Sequence, residues 1–539
     1  MTGGRVPGAA RTLEGTEITG DGVARPPGGG RGVEPRRVDR RAVVIGVGAA
    51  GAGAIAAAVG LAVTQTSPEP AVERTAPVAG ATKRTRPTPS PTPSRIQRSP
   101  VLDVTRYGAD PTGARDSAPA LRRALAALGS SGGTIAFPAG TFRIRATAAA
   151  PFLSLPARAV VRGASAGRTV LRLESDDPAG YREFARPIGD DVVLQDLTVR
   201  RSGTFPCVLL NLPPVRGFTL SRVTIDGAFR GGDANYCHGL QLAAFAGTAS
   251  GLRIEDSAFT RCTSCTLITN DATGTVRDVV IDGCRMQNID FNAPKATVRG
   301  IRIRDCVVDA AGSEYFGIAF AHVTDAVVSN TTIRRAQKEA IHIEDACSDV
   351  TITRCTLERS ALGATDAFAY IQIINASRGI TIDRCLIDAR GSRSRSDPSL
   401  IAVQQGGEGV TDAGRTFAPP RDVAITRNRL LTDGLGVRTG IYLERVPGAT
   451  ISGNRLTGGG SVAHGAYSGA SDVAVDLIQP TRAQVADNTI DGWRTALVGQ
   501  GDGGGRTRFL RNAVVDCDRV VRARGVTVAG TRAQRVVTR

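Results

Sequence analysis

The chain has 539 residues and a formal charge of +17, with 64 glycines, 4% aromatic residues and 2 methionines. One compact core is not expected at that length, whereas a solenoid, in which each coil touches only its neighbours, has no such limit; the scarcity of methionine excludes a Met-rich promiscuous binding surface. The positive charge is divided between the tail before Ser99 and scattered arginines, with no recognition helix, zinc finger or aromatic-basic platform beside it, so nucleic acid is not expected as a partner.

Residues 1–41 are rich in Gly, Pro, Arg and Thr and lack periodicity, the composition of a disordered basic segment. Residues 42–63 form an uncharged run of small and apolar side chains long enough to cross a bilayer. Arg36, Arg37, Arg40 and Arg41 precede it, which keeps the N-terminus cytoplasmic and sends the remainder across. Arg40-Arg41 before this run resembles a twin-arginine export signal; a helix buried in a soluble protein is the competing reading. Residues 64–99 carry Pro87, Pro89, Pro91 and Pro93, an extended linker that cannot form a core. The expectation is an extracellular protein, secreted or tethered to the outer face of the membrane by residues 42–63 unless that segment is cleaved.

Residues 100–539 read as one folded domain. A strand and turns span 101–113. A helix is expected over 116–128, with Ala118, Leu121, Leu125 and Leu128 on one face and Asp116 or Ser117 as its cap. It is placed to cover the open first coil of a solenoid. Strand, tight turn and strand follow over 134–144. From there a short grammar repeats every 22 to 30 residues or so: short runs of alternating β-branched residues, separated by turns carrying Gly, Asn, Asp and Ser. Ala340 to Ile343 is followed by Val350 to Leu357, Tyr370 to Ile373 by Ile380 to Ile387, and Gly440 to Leu443 by Ala449 to Leu456. No unit can bury its own apolar face, so the units stack. The fold class is all-β: a right-handed parallel β-helix with an N-terminal capping helix. Residues 392–422 exceed one coil and are expected to form a loop beside the groove.

The succession Tyr107 to Asp110 (Tyr-Gly-Ala-Asp), Asp116, the alanine-rich helix and Gly132 to Thr141 (Gly-Gly-Thr-Ile-Ala-Phe-Pro-Ala-Gly-Thr) resembles the opening of the pectate-lyase-like superfamily, in particular its polygalacturonase, rhamnogalacturonase and tailspike-like branch. The resemblance implies the β-helix over about residues 101–530 and a polysaccharide as partner. It does not carry a reaction across: Asn270-Asp271, His238-Gly239 and Glu344-Asp345 are only fragments of the polygalacturonase signatures.

Cys284, Cys306, Cys355 and Cys385 recur at one position of the coil, which Asn428, Asn454, Asn488 and Asn512 occupy later. The expectation is a column of small buried thiols continued by an asparagine hydrogen-bond ladder. Cys262 and Cys265 are spaced as a metal or redox pair but lack a second pair. Arg354, Arg384, Arg427 and Arg455 would stack into an arginine row, either a solvated edge or a contact for an anionic polymer.

A residue between two inward apolar residues points outward on a strand. One outward column collects Gln241, Asp290, His342, Gln372, Tyr442 and Asp476; the next collects Asn292, Glu344, Gln404 and Glu444, with Asp271, His322, Asp345 and Asn375 at the edge. Such a polar strip suits a polyhydroxylated chain. Asp290, His342, Glu344 and Asp345 are the catalytic candidates, expected to converge on one solvent-facing groove. Asp290 and Glu344, two coils apart, could flank a sugar linkage and a water as in an inverting glycosidase. His238, Gln241, Asp271, Asn292, His322, Lys338, Gln372, Asn375, Tyr442 and Glu444 are the substrate-binding candidates. A glycoside hydrolase is the first reading. A polysaccharide lyase is the second, drawing on Lys338, Lys295, His322 or Arg445, and a non-catalytic carbohydrate-binding or envelope protein the third. No metal ligand set is assigned and no cofactor is expected, Ca²⁺ entering only with the lyase reading. A homo-oligomer stays open.

Overall fold

The computed structural model describes residues 99–534 apart from 147–151, 231–234, 243–245, 269–272, 293–294, 312–315, 363–366, 393, 395–397, 407–410, 413–414, 417, 435, 460–472, 480–481, 501–506 and 524–525. The segments 1–41 and 42–63 and nearly all of 64–99 lie outside these residues. Among the described residues no helix is long and apolar enough to cross a membrane.

The chain winds as a right-handed parallel β-helix with three strands per coil. One coil contributes Val323–Ser329, Thr332–Arg334 and Ile341–Glu344; the next lays Ser348–Thr353, Thr356–Glu358 and Ala369–Ile374 upon them in register. Three faces result. The first is a sheet of 16 strands from Val101–Asp103 to Val526–Ala529, and the second has 15, from Gly140–Ala146 to Arg532–Gln534. The third is divided into a sheet of five strands ending at Ser264–Ile268 and a sheet of nine beginning at Ile289–Asn292. At the division side chains replace the backbone ladder: Cys265 N–H donates to Asn288 Oδ1 at 2.7 Å, and Asp290 N–H to Thr266 Oγ1 at 3.1 Å.

Alternation decides what fills the coils. Ile341, Ile343, Ile371, Ile373, Ile401, Val403, Ile441 and Leu443 all point inward and are buried. At the open end the helix Ala118–Leu128 buries Ala118, Ala120, Leu121, Ala124 and Leu128 and packs against the first strands. Asp116 caps it, accepting the Ala118 N–H at 3.0 Å, while the Ser117 hydroxyl accepts the N–H of Asp110.

The internal column continues as a ladder. Asn428, Asn454, Asn488 and Asn512 are each 1% exposed, and each side-chain carbonyl of the last three accepts both the backbone and the side-chain N–H of the asparagine one coil earlier, at 2.9–3.0 Å. The four cysteines before them are buried and donate to backbone carbonyls at 3.1–3.7 Å.

Two expectations need correction. Residues 392–422 are not a single loop, because Ser399–Gln404 is a regular third-face strand between Ala369–Ile374 and Thr439–Glu444. Ile401 and Val403 supply the same inward alternation as their neighbours, and among the described residues after Gln404 the antiparallel pair Thr411–Asp412 and Arg415–Thr416 stands outside the parallel sheets. The arginine row forms at three of its four expected members. Arg354, Arg384 and Arg427 occupy left-handed turn positions, with φ of 53°, 54° and 56°. Arg354 bonds Asn330 at 3.1 Å, and Arg384 and Arg427 pair with Asp383 at 3.5 and 2.7 Å. Arg455 stands apart, on the second-face strand Arg455–Thr457.

Candidate functional site

The outward column of the third face runs Asp290, Ala319, His342, Gln372, Ala402, Tyr442, Asp476, each in register with the next. Inward Ile341 and Ile343 turn His342 out of the coil, and inward Ile289 and Phe291 do the same for Asp290. Between these two residues the intervening strand contributes only the methyl groups of Ala319 and Ala321. Two coil spacings separate the strands of Asp290 and Glu344, about 9–10 Å.

His342 is the hub. Its Nε2 lies 3.1 Å from Glu344 Oε2 and its Nδ1 3.9 Å from Glu339 Oε2. Glu339 is 2% exposed and accepts the Phe368 N–H at 2.8 Å through its other oxygen. The ring of Phe316 stacks on His342 at 4.2 Å, and Lys338 Nζ lies 5.5 Å from the Phe316 centroid on that layer. His342 is therefore outward but not solvent-facing: it is 6% exposed, covered by an aromatic ring from the coil before it. The open, solvent-facing groove expected from alternation alone is corrected here to a covered imidazole flanked by acids. Its Nδ1 is buried without a hydrogen-bond partner.

Electrostatics divide the carboxyl groups. Burial, reinforced by the charge of Glu344, pushes Asp290 up to about 7, with His342 opposing the shift, and Asp290 Oδ1 is a buried acceptor without a donor. Burial also acts to raise Glu344, but the charge and hydrogen bond of His342, aided by His322 and Lys338, outweigh it and hold Glu344 below the ordinary carboxyl range. For His342, burial disfavours the cation, yet Glu344, Glu339 and Asp345 prevail and raise it. Burial lifts Glu339 despite His342 beside it. The site thus holds one carboxyl poised to be protonated near neutrality and another kept ionised by an imidazolium.

The remaining candidates fall around this centre or away from it. His322 sits one coil before, at φ 61°, and its N–H donates to the Asp345 carbonyl. Asp345 turns to the edge, where its Oδ1 accepts from Asn375 Nδ2 at 2.9 Å, while Asn375 Oδ1 accepts the Gly406 N–H. These two side chains brace successive turns. Gln372 is 4% exposed directly above His342. Tyr442 and Glu444 lie three coils on, about 14 Å away, joined by a 3.0 Å hydrogen bond from the phenol to the carboxylate. Gln241 and His238 belong to the five-stranded sheet. His238 is four coils below His342, about 19 Å away; it stacks on Tyr236 at 4.8 Å, and burial lowers it to about 4. Lys295 is exposed, and Arg445 bonds Gln479 and Gln405. Asp271 and the side chain of Asn292 lie outside the described residues. Among the described residues no group of three or more His, Cys, Asp or Glu side chains is arranged to hold a metal ion.

Sequence reasoning missed Glu339 and Phe316. Both immediately precede a small residue that turns the coil inward, Ala340 or Gly317, and that position was readable as a site facing the next coil.

Residues 216–392 match the family described as a right handed beta helix region. No curated protein matches the sequence. Among solved structures, the A-module of a mannuronan C-5 epimerase from Azotobacter vinelandii is 16% identical, with 80% of this chain and 99% of that chain covered and a TM-score of 0.46. Tailspike protein 3 of bacteriophage CBA120 is 12% identical over 81% of this chain and 62% of its own, with a TM-score of 0.44. The catalytic unit of an α-1,3-glucanase from Streptomyces thermodiastaticus is 17% identical over 83% and 65%, with a TM-score of 0.30. At these identities the likeness is one of fold.

Proposed function

We propose that this chain is an exported polysaccharide hydrolase whose proton donor is Asp290 and whose base is Glu344. The observation that carries the reading is a pair of carboxyl groups two coils apart on one face, separated by an alanine strand, with their protonation pushed in opposite directions. Asp290 would protonate the glycosidic oxygen. Glu344 would take a proton from the water attacking the anomeric carbon from the opposite side. His342 holds Glu344 ionised and in place, and Glu339 backs the far side of the ring.

The test is incubation of the full chain with a panel of polysaccharides, with released ends identified by mass. New reducing ends that incorporate solvent oxygen, abolished in Asp290→Asn and Glu344→Gln, are expected. Unsaturated ends would replace the hydrolase by a lyase, and binding without product would leave a carbohydrate-binding protein. Export is tested separately: replacing Arg40 and Arg41 by Lys abolishes translocation if the twin-arginine route is used.

A further inference from the structure

We infer that Cys207 and Cys237 form a disulfide bond between adjacent coils, and that they are the pair that oxidises among the ten buried cysteines. Their Sγ atoms lie 3.0 Å apart, closer than unbonded sulfurs rest. They are direct register partners on the parallel strands Cys207–Leu212 and Cys237–Leu242. Such partners stand about 4.8 Å apart, inside the range of about 4.4–6.8 Å that a disulfide spans between Cα atoms. Both residues are fully buried, so the bond would lie inside the coil.

The other cysteines set the contrast. Cys284, Cys306, Cys355 and Cys385 each donate to backbone carbonyls of their own turn and of an earlier coil. Cys262 donates to the Thr260 carbonyl, and Cys265 Sγ accepts the Gln287 N–H. Cys262 with Cys265, Cys284 with Cys306 and Cys355 with Cys385 are also neighbouring thiols, but these six sulfurs bond backbone groups, whereas Cys207 and Cys237 meet sulfur to sulfur at 3.0 Å. In the folded chain burial and the neighbouring Cys207 thiol push the Cys237 thiol well up, with the guanidinium of buried Arg201 opposing them.

The oxidant is a disulfide-bearing thiol oxidoreductase or a small-molecule disulfide. The Cys237 thiolate attacks the donor disulfide and releases one donor thiolate. The Cys207 thiolate then attacks Cys237 Sγ and expels the second. The protein loses two protons and two electrons, and the donor becomes its dithiol. Burial places this exchange before the coils close, during folding.

The experiment refolds the full chain from denaturant in reduced and oxidised glutathione, alkylates free thiols under denaturing conditions, and maps the unreduced digest by mass. The expected result joins the peptides of Cys207 and Cys237, with the other eight of the ten cysteines alkylated. The native bridged protein should resist reduction until it is unfolded. All ten alkylated at every glutathione ratio, or a different pair in higher yield, overturns the inference. The wild-type map decides the matter even if Cys207→Ser or Cys237→Ser fails to fold. Its readout is independent of polysaccharide turnover.

Discussion

His342 with Glu344 and Tyr442 with Glu444 occupy equivalent positions on the third face, three coils apart, yet they are different chemical objects. Each pair places a ring outward and a carboxylate two residues later, after an inward Ile343 or Leu443. In the upper pair the phenol satisfies the carboxylate, both are half-buried, and the next acid in register, Asp476, accepts from Gln500. In the lower pair the ring is roofed by Phe316 and backed by buried Glu339, and its charge acts on Asp290, two coils below, which has a buried oxygen without a donor. Register supplies the position. What the neighbouring coils lay over it supplies the chemistry.

The largest expected effect separates the two glutamates. Glu344→Gln should reduce turnover by about a hundredfold or more, the usual scale of a general acid or base, with substrate binding much less affected. Glu444→Gln should act mainly on KM, as a contact made equally in ground and transition states. Steady-state kinetics of both variants on one confirmed substrate make the comparison, and equal losses would erase the distinction.

Asp290 should then show itself through pH. Its folded pKa is raised to about 7, so the folded chain holds a proton that the unfolded chain releases near 4. Stability attached to this group is present below about pH 4 and is lost as pH rises through 7. Asp290→Asn should therefore stabilise the protein at pH 8 by about 1–4 kcal/mol and change it little at pH 4, as read by denaturant unfolding. The same titration should set the alkaline limb of activity near 7. A variant with no stability gain at pH 8 would mean that the carboxyl is solvated in the folded state.

Much of this was legible in the sequence, and the reason is periodicity. The inward alternation of Ile341 and Ile343, repeated at Ile371 and Ile373 and again at Ile401 and Val403, specified the coils, and the recurrence of Asn428, Asn454, Asn488 and Asn512 specified the internal ladder. The same alternation put Asp290 and His342 in one column. What alternation cannot encode is cover. Phe316 reaches His342 from the preceding coil beside a turn without strand periodicity, and Glu339 reads as a turn residue until the inward bend at Ala340 directs it toward the imidazole. The arginine row is present at Arg354, Arg384 and Arg427, one turn position repeated over successive coils, and each of these three is answered by an Asp or Asn of its own turn or of the coil before; Arg455 falls outside it.

His342 sharpens the contrast from the other side. Its pKa is raised, so its contribution is complete below about 6.5 and is lost as pH climbs through the folded value; that of Glu344 is depressed, so its contribution is lost as pH falls below about 4.3. The ion pair is strongest between those limits. His342→Gln should cost about 1–3 kcal/mol there and less at higher pH, measured as unfolding free energy at pH 5.5 and 8.5. A loss independent of pH would make the ring a packing element under Phe316.

Tyr442→Phe carries the smallest expected change and tests the upper pair by itself. Removing the hydroxyl deletes the 3.0 Å hydrogen bond to Glu444 and leaves the aromatic ring in place. Because Glu444 is half-buried, water can replace the lost donor. The cost should be about 0.5–1.5 kcal/mol of stability, with kcat unchanged. If Tyr442→Phe instead lowered kcat as far as Glu344→Gln does, the reacting bond would lie over Tyr442, and Asp476 in register with it would displace Asp290 as the acid to test.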